Sequence, residues 1–130
     1  MTAPAKNAAR PLSPHVFIYR WPLAALISIC HRATGGGLVL GMAMVTWWVV
    51  AAAYGPRAFE PVEAFTTSWI GQVILFGFSA ALFFHLCNGI RHLVWDAGLG
   101  FEKRDTAIGN AVVLGGTVVL TVVTWLLAYI

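Results

Sequence analysis

Charge is what this sequence has least of. Eight of its 130 residues are Lys or Arg and five are Asp or Glu, so 10% are charged while 59% are hydrophobic. Soluble domains carry about 25% charged side chains, so this inventory cannot cover a water-facing surface, and a bilayer is the solvent it suits. The net charge of +3 does not point to nucleic acid, because the basic residues stand at the ends of apolar runs and form no basic face interleaved with aromatics. Cysteine is nearly absent too. Cys30 and Cys87 are isolated from each other, with no C-x-x-C pair, which excludes a cysteine-built iron–sulfur cluster or zinc site and leaves both as small packing residues. A G-x-G-x-x-G turn for a dinucleotide is also missing. The opening stretch MTAPAKNAARPLSPH has neither the apolar core of a signal peptide nor the arginines of a transit peptide, so the expectation is a mature N-terminus.

What is present is apolar length. Residues 33–56, 64–90 and 106–130 are nearly free of charge, and each exceeds the roughly 20 residues that a helix needs to cross a hydrocarbon core. Backbone groups in lipid must be satisfied within their own segment, and three segments cannot close a barrel, so the fold class is all-α with three transmembrane helices. The expected spans are about 27–54, 65–94 and 106–129, preceded by an arm over 1–26, in a single domain without repeats. The last run, AVVLGGTVVLTVVTWLLAYI, has strand-like Val and Thr content that lipid overrides. Its Gly115, Gly116 and Thr117 offer a smooth face for helix packing.

In the arm, Pro11, Pro14 and Pro22 forbid one continuous helix, and Phe17, Tyr19 and Trp21 suit a headgroup layer. Lys6, Arg10 and Arg20 lie before the first span and Arg91, Lys103 and Arg104 near the second connection, whereas the first connection, YGPRAFEPVEAFTT, holds only Arg57. The positive-inside rule therefore puts the N-terminus and the second connection on the cytoplasmic side or its matrix equivalent.

Two stretches break the apolar pattern, SICHRATGGG from Ser28 and HLCNGIRHLVWDAG from His85. In the expected topology both lie toward the inner face. His85, Gly89, His92 and Asp96 step by four, three and four and so share one stripe of the second span, while Arg91 points elsewhere. Ser28 and Arg32 share a face of the first span, with Gly35 and Gly36 a turn further on to admit a flat ligand or another helix. An ionisable group in a span needs a partner. For His85 three partners are open: haem iron, a proton relay, or a neighbouring helix. Ser28 and Arg32 can bind the carbonyls of a quinone or serve as an interfacial cap and anchor. His31 is a donor to a haem propionate, a haem ligand or a headgroup contact, and His15 reads as a surface residue. A proton-conducting transporter would show polar residues through its full depth, and the outer halves of these spans are almost wholly apolar.

Taken in order, RPLSPHVFIYR, SICHRATG and H-x-x-x-G-I-R-H, with three crossings around them, resemble the cytochrome b membrane-anchor subunit of succinate dehydrogenase, respiratory complex II. The resemblance implies that His85 is an axial ligand of haem b, with the second ligand supplied by a sister anchor subunit that completes the helix bundle. It implies ubiquinone-site roles for Ser28 and Arg32, and positions near the haem propionates for His31, Arg32 and His92. It implies as partners a flavoprotein, an iron–sulfur subunit and a second membrane anchor, with succinate oxidised on the partner chains. The implied location is the inner membrane of a bacterium or, alternatively, of a mitochondrion. A haem-free structural anchor and a quinol:fumarate reductase anchor are the alternatives.

Overall fold

The computed structural model describes residues 20–130, and their regular structure is entirely helical: α1 (Leu23–Tyr54), α2 (Pro56–Thr67), α3 (Trp69–Asp96) and α4 (Lys103–Ala128). Three of these, α1, α3 and α4, are long and apolar enough to cross a membrane. They run antiparallel in sequence order with α3 central, packed by α1 on one side and α4 on the other. The residues 1–19, including His15 and most of the arm, lie outside the described residues.

Several boundaries differ from the sequence reading: α3 starts at Trp69 where 65 was expected and α4 at Lys103 where 106 was expected, and two further differences have local reasons. Residues 23–26, assigned to the arm, form the first turn of α1. Pro22 is extended (φ −64°, ψ 144°) and its carbonyl accepts from the amides of Ala25 and Leu26, so it starts the helix that its missing N–H could not continue. The first connection holds a helix of its own, α2, where the sequence reading has only a link. Gly55 reverses the chain at φ 96°, a conformation that side chains disfavour, and Pro56 then opens α2 at its first position. Val62 is buried on the inward face of α2, and Phe59 and Phe65 meet Trp48 and Trp47 of α1 at ring separations of 6.3 and 6.1 Å. Glu60 and Glu63 face outward.

Ser68 separates α2 from α3 and caps α3, its Oγ accepting from the Gly71 amide at 3.1 Å. A Cβ on Gly71 would collide with the Phe65 carbonyl oxygen, so the tight corner requires glycine there. At the opposite end, Gly98 (φ 80°) ends α3: its amide donates to the Trp95 carbonyl at 2.8 Å and that of Leu99 to Val94 at 3.2 Å, a Schellman termination. Trp95 Nε1 donates to the Gly100 carbonyl at 3.2 Å and ties the turn down before α4 begins.

Polar contacts run along the α3–α4 seam. Arg91 pairs with Asn110 at one end, Trp125 Nε1 donates to Ser79 Oγ at 3.2 Å, and Tyr129 donates to Gln72 at the other end. Midway, a Cβ on Gly116 would lie 3.1 Å from Cys87 Sγ, whereas Gly115 faces open space, so one of the two expected small residues serves this seam. Thr117 and Thr121 satisfy their hydroxyls on carbonyls one turn back, at 2.6 and 2.7 Å, which makes threonine compatible with a helix in lipid. Between α1 and α3 the closest fit is Gly41 under Phe78, where a Cβ would run into the ring.

Candidate functional site

The α1–α3 seam carries the ionisable groups near the end where α1 begins and α3 ends. His31 of α1 stacks on His85 of α3, ring centroids 4.0 Å apart and planes 13° from parallel, and the His92 ring lies 5.2 Å from His31, tilted by 35°. His85 and His92 are two turns apart on α3, so one α1 imidazole reaches both. His92 in turn meets the Trp95 ring edge-on at 5.1 Å. The face-to-face stacking of His31 and His85 does not converge on a point, and among the described residues no cluster of three or more His, Cys, Asp or Glu could hold a metal ion. A metal ligated by His85 would have to bring most of its other ligands.

His85 is anchored through one nitrogen. Its Nδ1 lies 3.2 Å from the His31 carbonyl oxygen and 3.3 Å from Thr34 Oγ1. Gly35 permits this approach, since a Cβ there would lie 3.1 Å from His85 Cε1. Among the described residues Nε2 has no hydrogen-bond partner, and it is not one of the enclosed unpartnered atoms, so it reaches the surface. Gly36, Gly37 and Gly89 have open space where a Cβ would be. Gly89 follows His85 by one turn, so the surface beside the imidazole is bare backbone.

Ser28 and Arg32 lie about 40° apart around α1 at 3.6 residues per turn, to one side of His31. Ser28 is half-buried and Arg32 exposed, and neither side chain has a hydrogen bond or ion pair among the described residues. A hydroxyl and a guanidinium on one helix face can together bind a planar ligand that carries carbonyl oxygens. Asp96, the last residue of the expected stripe, is exposed at the end of α3.

Arg91 does point elsewhere, into the α3–α4 seam. Its side chain is 8% exposed, Nη1 donates to Asn110 Oδ1 at 2.9 Å, and the guanidinium lies 4.2 Å from the centroid of the Trp95 ring. Among the described residues Nη2 is enclosed without a partner, as are His31 Nδ1 and both amide atoms of Asn88. Asn88, Asn110 and Thr34 are the residues that the reading of the sequence passes over. An asparagine inside an apolar run signals a hydrogen-bond demand, and that signal was available for both asparagines. Nothing in the spacing of Thr34 ties it to a histidine 51 positions away.

The chain matches the model of the succinate dehydrogenase/fumarate reductase transmembrane subunit over residues 6–124. This chain belongs to that family. The succinate dehydrogenase cytochrome b556 subunit of Paracoccus denitrificans is 43% identical over 128 residues, covering 98% of both chains. That of Rickettsia conorii is 38% identical over 116 residues, covering 89% of this chain and 90% of the relative. The mitochondrial cytochrome b560 subunit of Sus scrofa is 39% identical over 118 residues, covering 87% of this chain and 68% of the relative. As a member of the transmembrane-subunit family it is a membrane component of an oxidoreductase complex, and the three long apolar helices are its membrane part.

Proposed function

We propose that this chain is the haem b-carrying anchor of a succinate:quinone oxidoreductase, with His85 as one axial ligand and a sister anchor supplying the other. The observation that carries the reading is the His85 imidazole, held at Nδ1 by α1 while Nε2 stays open beside the bare backbone of Gly89. A large, flat, apolar group that brings most of its own ligands would suit that surface, because the protein offers imidazole there and, among the described residues, no converging metal set. Names of the relatives, cytochrome b556 and cytochrome b560, agree with it. When bound, the haem supplies a one-electron centre. His31, Arg32 and His92 are suited to donating hydrogen bonds to its propionates.

Ser28 and Arg32 form this chain's part of a ubiquinone-reduction site. Arg32 carries a permanent charge on a planar set of donors, so it can orient a quinone carbonyl and stabilise negative charge on that oxygen as electrons arrive from the iron–sulfur subunit. The Ser28 hydroxyl fixes the same head group from the adjacent turn. The flavoprotein subunit oxidises succinate, and this chain contributes no catalytic group to that step. The assembly sits in a bacterial inner membrane with the N-terminus cytoplasmic, in line with the basic residues around the first span and second connection.

Arg32→Ala in the assembled complex tests the quinone role. Charge-assisted hydrogen bonds contribute about 1.5–3 kcal/mol, so succinate-driven quinone reduction falls about tenfold or more, while reduction of a soluble artificial acceptor at the head stays at the parent rate. Quinone reduction at the parent rate, with haem intact, would overturn the assignment.

A further inference from the structure

The two nitrogens of His85 have unequal surroundings, and the inequality determines which one can bind a metal. Nδ1 faces the His31 carbonyl oxygen at 3.2 Å and Thr34 Oγ1 at 3.3 Å. A carbonyl oxygen can only accept, so the hydrogen of this contact belongs to Nδ1. The Thr34 hydroxyl hydrogen is committed within its own helix, to the carbonyls of Cys30 at 2.9 Å and His31 at 3.0 Å. That commitment turns an oxygen lone pair toward Nδ1. Both neighbours therefore require the same ring nitrogen to donate, and a neutral imidazole protonated at Nδ1 has its free lone pair on Nε2.

Three features of α1 build this arrangement within about one helical turn. The His31 carbonyl and Thr34 hydroxyl supply the acceptors, and Gly35 supplies the space, since its absent side chain is what lets Cε1 come within 3.1 Å of the Cβ position. Stacking of the His31 ring on the same imidazole removes a further rotation. A side chain acting on a ligand from behind sets both its angle and its donor strength.

Resting on the reading of His85 as an axial ligand, the geometry points to Thr34 as the positioning residue that, with the His31 carbonyl, holds the His85 imidazole in its Nδ1-protonated form and sets the strength of Nε2 as a donor to iron. A hydrogen bond donated from Nδ1 gives the ring more imidazolate character. Stronger donation favours the ferric state, so loss of one acceptor raises the midpoint potential of the haem. Thr34→Val keeps the branched shape against α3 and removes only the oxygen, and Thr34→Ser keeps the oxygen and removes only the methyl.

The test is a potentiometric titration of the haem with low-temperature electron paramagnetic resonance of its ferric form, made on purified complexes of the parent, Thr34→Val, Thr34→Ser and His85→Ala. Thr34→Ala is added so that the result does not depend on Val assembling. The expected result is an upward shift of potential with altered g-values in Thr34→Val and Thr34→Ala, and parent values in Thr34→Ser. Parent values in the Val and Ala variants would overturn the inference, as would a shift in Thr34→Ser equal to that in Thr34→Val, which would trace the effect to the methyl. A parent spectrum in His85→Ala would instead remove the ligand assignment on which the inference stands.

Discussion

Single side chains in this molecule act mostly by what they leave room for or leave unpaired. Gly41 is the sharpest steric case. A methyl there collides with the Phe78 ring, and overpacking of this kind costs about 1–3 kcal/mol. Gly41→Ala therefore lowers the thermal midpoint of the purified complex, and adding Phe78→Leu restores part of the loss, a coupling that a double-mutant cycle reads directly. Arg91 is the sharpest electrostatic case, because its enclosed guanidinium has one hydrogen bond, to Asn110, and one ring face, Trp95. Asn110→Leu takes away the acceptor of a charged donor, worth about 1.5–3 kcal/mol. Thermal unfolding of the complex shows that loss, and Arg91→Met combined with Asn110→Leu is more stable than Asn110→Leu alone, since the unpaired charge is then gone. The histidines and Arg32 stand out in the sequence because an ionisable group inside an apolar span is conspicuous, and Ser28 because it shares a helix face with Arg32. Thr34 does not, because its role depends on how α1 and α3 pack and leaves no mark in local spacing.

At the scale of elements, the three spanning helices follow from apolar length, and that property is local enough to read from the chain. α2 does not follow from it. Its twelve residues, PRAFEPVEAFTT, interleave Arg57, Glu60 and Glu63 with the apolar positions and include Pro61, so as a sequence they read as a link. They become a helix because Phe59 and Phe65 find Trp48 and Trp47 of α1 and Val62 is buried, a packing that exists only once α1 has crossed. The arm boundary moved for a related reason, Pro22 serving to start α1 where proline was expected to interrupt it. The α2–α3 corner rests on Ser68, whose Oγ accepts from Gly71 and donates to the Phe65 carbonyl. Ser68→Ala removes the cap, at about 1 kcal/mol, and hydrogen exchange shows it as faster exchange at the first turn of α3 with the α3–α4 turn unchanged.

For the whole molecule, the balance of buried and exposed surface describes an incomplete bundle. The buried apolar side chains among the described residues are Ile27, Ala51, Val62 and Val113, while Leu40 is 76% exposed and Leu127 69%. Lipid covers part of such a surface, and the proposed sister anchor covers the rest, including the open face beside His85. Orientation is also a property of the whole chain. With Cys30→Ser and Cys87→Ser as background, a cysteine at Glu60→Cys is labelled by a membrane-impermeant maleimide from the periplasmic side of intact cells, and one at Lys103→Cys only after permeabilisation. Labelling in the reverse pattern would invert the topology. The proposed haem role depends on which imidazole of the α1–α3 stack meets iron, and the most direct measurement is the reduced-minus-oxidised absorption spectrum of purified complexes carrying His31→Ala, His85→Ala or His92→Ala beside the parent. The expected result is a b-type signal in the parent that is lost or changed in ligation in His85→Ala and retained with low-spin character in the other two. An unaltered signal in His85→Ala would contradict the assignment of His85 to iron.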